Sequence, residues 1–64
     1  MTHEQAVRLL PADAKWSASF GNPGEGGYVE YHRRPDGERW QVSNGPWHLH
    51  PFELDWHCQK MESA

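Results

Sequence analysis

The spacing of apolar and polar residues changes along this chain, and each change marks an element. Ala6, Val7, Leu9 and Leu10 fall at helical spacing behind Thr2-His3-Glu4-Gln5. That tetrad has the capping-box pattern, with Thr2 as N-cap and Gln5 at N3. Glu4 and Arg8 stand four apart in the favoured order, and Pro11 ends the helix near residue 10. Two turns are not stable alone, so the Val7/Leu10 side must bury against a neighbour. From Lys15 to Phe20 the period becomes two, with Trp16, Ala18 and Phe20 alternating with Ser17 and Ser19, which predicts a strand. Tyr28 to Arg34 and Glu38 to Ser43 flank Pro35-Asp36-Gly37, a hairpin turn. Pro presets the first turn dihedral, Asp accepts local hydrogen bonds and Gly supplies positive φ. The expected faces put Val29 and Tyr31 with Trp40 and Val42, and Tyr28, Glu30 and His32 with Arg39 and Gln41.

Asn44-Gly45-Pro46 breaks the chain again. Beyond it, Phe52, Leu54, Trp56 and Cys58 alternate with Glu53, Asp55, His57 and Gln59, which favours a strand. Pro51, the early acids and Lys60 suit instead a helix starting at Pro51. The stretch from Gly21 to Gly27 is a loop by composition. It lacks the Gly-Lys-Ser/Thr and the following helix that a phosphate cradle needs. The expected fold class is α+β, one small domain over residues 1–64. A helix within 1–11 packs on an antiparallel meander of three to four strands over 15–59, and 60–64 fray. The expected core is Val7, Leu10, Trp16, Ala18, Phe20, Val29, Tyr31, Trp40, Val42, Leu54 and Trp56.

Composition sharpens this in two ways. Leu, Val and Phe supply only nine of 64 residues and Ile none, a level at which disorder competes with folding. Four Trp, two Tyr and two Phe, with a net charge of only −3, argue for a folded domain with a core built from rings. Cys58 is the only cysteine, so no disulfide can staple the chain, which fits a reducing, cytoplasmic setting. No run approaches the roughly 18 apolar residues of a membrane span, and the first ten residues lack the apolar region of a signal peptide.

Candidate chemistry divides four ways. His48-Leu49-His50 with His57 or Cys58 offers zinc ligands and a metal-stapled domain, but no familiar ligand spacing is present. Catalysis is not expected: Cys58 reads as a buried-face residue, Glu53 and Asp55 as solvated surface, and the chain has little volume for a pocket. Arg33, Arg34 and Arg39 gather at the hairpin, with Lys15, Trp47 and Tyr28 nearby, and offer a nucleic-acid surface, against which the −3 balance argues. Tyr28, Trp47 and Phe52 have no evident buried place. With Glu30 and His32 they form the expected partner-binding set. No cofactor is expected, and Trp47 or Phe52 between two copies would make a homodimer.

Leu10-Pro11, Trp16, Gly27-Tyr28, His32 and Trp40 occur in the order of a WW domain, and this part of the chain resembles that family. The resemblance implies a three-stranded sheet binding proline-rich ligands in a Tyr/Trp groove. The spacings differ and the closing Pro is absent, which marks convergence among aromatic-rich small sheets. Leu9-Leu10-Pro11, Tyr28 to Tyr31, Arg39 to Val42, Asn44-Gly45 and Leu54 to Trp56 together resemble the small accessory proteins of tailed bacteriophages. That resemblance implies a non-enzymatic protein that binds and sterically inhibits one host protein. It carries over no functional residue.

Overall fold

The computed structural model describes residues 1–61. Helix α1 spans His3–Arg8, and four strands follow: β1 Lys15–Phe20, β2 Val29–Arg33, β3 Arg39–Ser43 and β4 His57–Lys60. They form one antiparallel sheet in the order β1-β2-β3-β4. A single 3-10 turn, Pro51–Glu53, interrupts the long β3–β4 connection. Among the described residues no helix is long and apolar enough to cross a membrane.

Local chemistry forms α1 as expected. The Thr2 hydroxyl accepts from the Gln5 amide, the Gln5 side chain accepts from the Thr2 amide, and Arg8 donates to Glu4. The helix meets the sheet through few groups. Ala6 is fully buried beside Tyr28, Val42 and Trp56, with Leu10 and Cys58 packed against them. The segment after Pro46 takes something from both expectations. Pro51 starts a turn of helix, and the strand begins only at His57. β4 reaches Lys60, and the Met61 amide bonds the Arg39 carbonyl, so the expected fraying does not begin at residue 60. The rest of that expected tail lies outside the described residues.

The face assignment is overturned. β2 and β3 pair Arg33 with Arg39, His32 with Trp40, Glu30 with Val42 and Val29 with Ser43. The turn closes between Arg34 and Glu38, whose backbone groups bond at 2.8 Å. Three residues lie between them, so cross-strand partners have the same parity. Glu30 and His32 therefore share a face with Trp40 and Val42, and that face is the buried one. Val29 and Tyr31 go to the other side with Gln41 and Ser43. A one-residue change of register moves every side chain to the opposite face, and the turn length fixes the register.

β1 follows the same logic. Trp16 pairs with His32, a bulge at Ser17 shifts the register, and Ala18 and Phe20 then pair with Tyr31 and Val29. Phe20, expected in the core, is 60% exposed on the open face, and Trp16 is 62% exposed at the sheet edge. Of the expected core, only Val42 and Trp56 are buried; Ala6 and Tyr28 join them, Trp16 and Phe20 are exposed, and the others are half-covered.

The glycine loop is fastened to the β3–β4 connection. Asn44, fully buried, accepts from the Tyr28 amide and donates to the Pro23 and Glu25 carbonyls. Gly27, at φ +83, brings its Cα against the Trp47 backbone, and its amide bonds the Gly45 carbonyl. A Cβ on Gly26 would stand 2.2 Å from the Pro46 carbonyl oxygen. The loop is glycine-rich because another backbone lies against it. Two outcomes follow for denaturant unfolding. Asn44→Ala, which orphans a buried amide and two carbonyls, should cost about 2 kcal/mol. Gly26→Ala should cost clearly more than Gly24→Ala, where a Cβ meets only the Asn22 side chain at 3.4 Å. Equal midpoints for the two glycine variants would remove the close-approach account.

Candidate functional site

Two arrangements stand out: a buried polar cluster under α1, and an exposed aromatic stretch between β3 and β4. The cluster grows from the alternation Tyr28-x-Glu30-x-His32, which points three polar side chains to the inner face of β2. The Tyr28 hydroxyl donates to Glu30 Oε2 at 2.5 Å. Nε2 of His32 and Nε2 of His3, from α1, each lie 3.0 Å from Oε1. An ionised carboxylate only accepts, so both imidazoles present Nε2–H to it. Trp56 closes the cluster edge-on, its ring 4.5 Å from His3 and 5.6 Å from Tyr28.

Burial alone pushes the Glu30 carboxyl up, but hydrogen bonds from Tyr28, His32 and His3 outweigh it and hold the pKa below its ordinary value. Burial, then the Glu30 carboxylate, pushes the Tyr28 phenol up. Every buried polar side-chain atom among the described residues has a partner. The cluster is a satisfied network that joins α1 to the sheet. Tyr28, Glu30 and His32 are thus brought together, but as interior groups, which corrects their expected role as partner contacts. His3 completes the set from far away in sequence, and no local pattern in the chain marks it.

Trp47 and Phe52 stay outside, at 82% and 85% exposure. His48 stands edge-on to Trp47 at 5.8 Å, and His50 stacks on Phe52 at 5.5 Å, nearly parallel. The backbone beneath Trp47 is held by Gly27, and a Pro46–Leu49 turn bond at 3.2 Å follows. Trp47 thus stands on a supported backbone, and Phe52 on a local turn closed by the Glu53 amide and the His50 carbonyl.

The hairpin arginines separate. Arg34 is spent on Asp13 at 2.9 Å and Glu38 at 3.3 Å. Glu38 also takes Trp40 Nε1 at 2.7 Å and Lys60 at 3.3 Å. The Trp40 bond first, and those cations after it, hold its carboxyl below the ordinary range. Arg33 and Arg39 pair across the strands on the open face, next to Lys15. His57 is exposed, whereas Cys58 packs against the core, where burial pushes its thiol up. Among the described residues no three His, Cys, Asp or Glu side chains converge to hold a metal ion.

Removing the Glu30 carboxylate strands three donors. Glu30→Ala should cost about 3 kcal/mol, a large share of a small domain's stability, and Glu30→Gln, which keeps an acceptor, about 1 kcal/mol. Because Glu30 titrates lower folded than unfolded, its contribution is complete above the unfolded value and lost as pH falls through the folded one. Unfolding free energy should therefore decline below about pH 4.5 and flatten partly in Glu30→Gln. Asp55 and Glu38, also shifted down, supply the remaining slope. An acid limb unchanged by Glu30→Gln would show that the network carries no linked stability.

Comparison with family models, curated proteins and solved structures found no match to this chain.

Proposed function

We propose that this chain is a non-enzymatic protein-binding module whose docking end is the β3–β4 connection, with Trp47 and Phe52 as anchors. The observation that carries the reading is the exposure of both rings, with the backbone at Trp47 pinned against Gly26 and Gly27. Trp and Tyr dominate the binding energy of protein interfaces, and a supported loop loses little entropy when it docks. Glu25 and Glu53 lie on the two connections of this end and favour a partner with a basic rim, whereas Asp55 is held by the Met1 ammonium. The polar residues of the interior are committed to one another, which leaves the domain a rigid body rather than a reactive one. Action is then steric: the domain covers a working surface of one protein. That is how a phage-type inhibitor would block a host target inside the cell, and two copies meeting through these rings is the competing occupant.

The test is a matched pair of affinity captures from bacterial lysate, with the wild-type chain and with Trp47→Ala as baits. Trp47 touches no core group, so the variant should melt as the wild type does. A protein retained by the wild type should be lost from the variant, with affinity down by about 2 kcal/mol or roughly thirtyfold. Equal retention by both baits, or a wild-type dimer that Trp47→Ala converts to monomer, would overturn the reading.

A further inference from the structure

We propose that the open face of the sheet is a docking surface for single-stranded nucleic acid. It is distinct from the Trp47/Phe52 end and does not depend on it. The strand register assembles this face from residues far apart in sequence. Across one end run Lys15, Arg33 and Arg39, direct cross-strand neighbours. In the middle stand Ala18, Tyr31, Gln41 and Gln59, and at the far end Phe20, Val29, Ser43 and His57. No helix packs over these residues, because α1 lies on the other side with Glu30.

Three features select the occupant. The first is charge. No Asp or Glu holds a strand position on this face, although the chain as a whole carries −3. Among the described residues Lys15, Arg33 and Arg39 enter no ion pair, in contrast to Arg8, Arg34 and Lys60. The acid lining the same shallow edge cleft as Lys15 and Arg33 is Asp13, which Arg34 already holds. The net charge therefore conceals a cationic row about 10 Å across, at the usual spacing of adjacent strands. The second is stacking. Tyr31, in the middle of the face, and Phe20, at the end away from that row, sit with ring centroids 6.1 Å apart, and Phe20 is mostly exposed. Aromatic rings on a flat sheet accept unstacked bases, which a duplex does not offer. The third is hydrogen bonding. Gln41 and Gln59, level with Tyr31, and Ser43, at the far end with Phe20, place neutral donors and acceptors alongside the rings. A phosphate backbone along the cations, with about two or three bases over the rings and amides, uses all three.

The test is fluorescence anisotropy of labelled oligothymidylate and oligouridylate titrated with the intact chain. Neutralising three phosphates on a single strand gives a slope of log affinity against log salt near about −2, roughly a twentyfold loss between about 50 and 200 mM. The triple variant Lys15→Gln/Arg33→Gln/Arg39→Gln should lose most of the affinity and most of the slope. Phe20→Ser should weaken binding and leave the slope unchanged, and Trp47→Ala should change neither. Circular dichroism confirms that the triple variant folds; failing that, Arg39→Gln alone and the wild-type salt slope decide. No binding at about 50 mM salt, triple-variant affinity equal to wild type, or a duplex bound as well as a single strand would each overturn the proposal. So would a dimer that Phe20→Ser dissociates, because a second copy would then be the occupant.

Discussion

The span from Arg34 to Glu38 sets which side of this protein is inside. Its two ends bond to each other and enclose three residues, so each residue of β2 faces a residue of β3 with the same parity. β2 can send either Val29 and Tyr31 or Glu30 and His32 to the side that carries Trp40 and Val42. The turn requires the second choice. The carboxylate and the imidazole then lie under α1, and two good strand hydrophobes face outward. The rest of the architecture accommodates that one constraint.

Burying Glu30 is costly unless its charge is fully solvated by protein. Tyr28, from the same strand face, and His32, two residues further on, supply two donors; His3 supplies the third and brings α1 with it. A helix of two turns could not persist through its few apolar contacts. It is tied by the capping box at its start, by Ala6 in the core and by His3 on the carboxylate. Polar groups here do what aliphatic residues do in a larger domain, and the chain's shortage of Leu, Ile and Val fits that arrangement. Asn44 works similarly at the other end, where its side-chain amide adds to the few backbone bonds between the glycine loop and the sheet.

The same constraint separates the outer surfaces. Among the described residues the acidic side chains lie on α1, on the connections and, as Glu30, in the interior, and the open face of the sheet keeps cations, amides and rings. The β3–β4 connection carries Trp47 on a backbone that the glycine loop supports, and Phe52 on the turn that follows. Whole-chain charge is a poor guide to either surface, because it averages over faces that the fold keeps apart.

Local sequence decided α1, β1 and the β2–β3 hairpin and their order, and left the segment after Pro46 between strand and helix. Capping, Pro11, the alternation of β1 and the Pro35-Asp36-Gly37 turn are local interactions, decided by neighbours a few residues away. Trp47 was legible as an exposed ring because no alternating or helical pattern offered it a burial site; Phe52 heads the alternation that runs to Cys58, and it lies outside because the Pro51–Glu53 turn takes it out of the strand. The parity of the faces was also present in the turn length, but the apolar character of Val29 and Tyr31 pointed the other way. Tertiary structure alone decided what depends on distant partners. His3 reaches Glu30 from 27 residues away, Asn44 reaches the glycine loop, Arg34 is neutralised by Asp13, and Lys15 comes beside Arg33. No periodicity encodes these meetings, because burial of a polar group is tolerated only where the fold happens to deliver its hydrogen-bond partners.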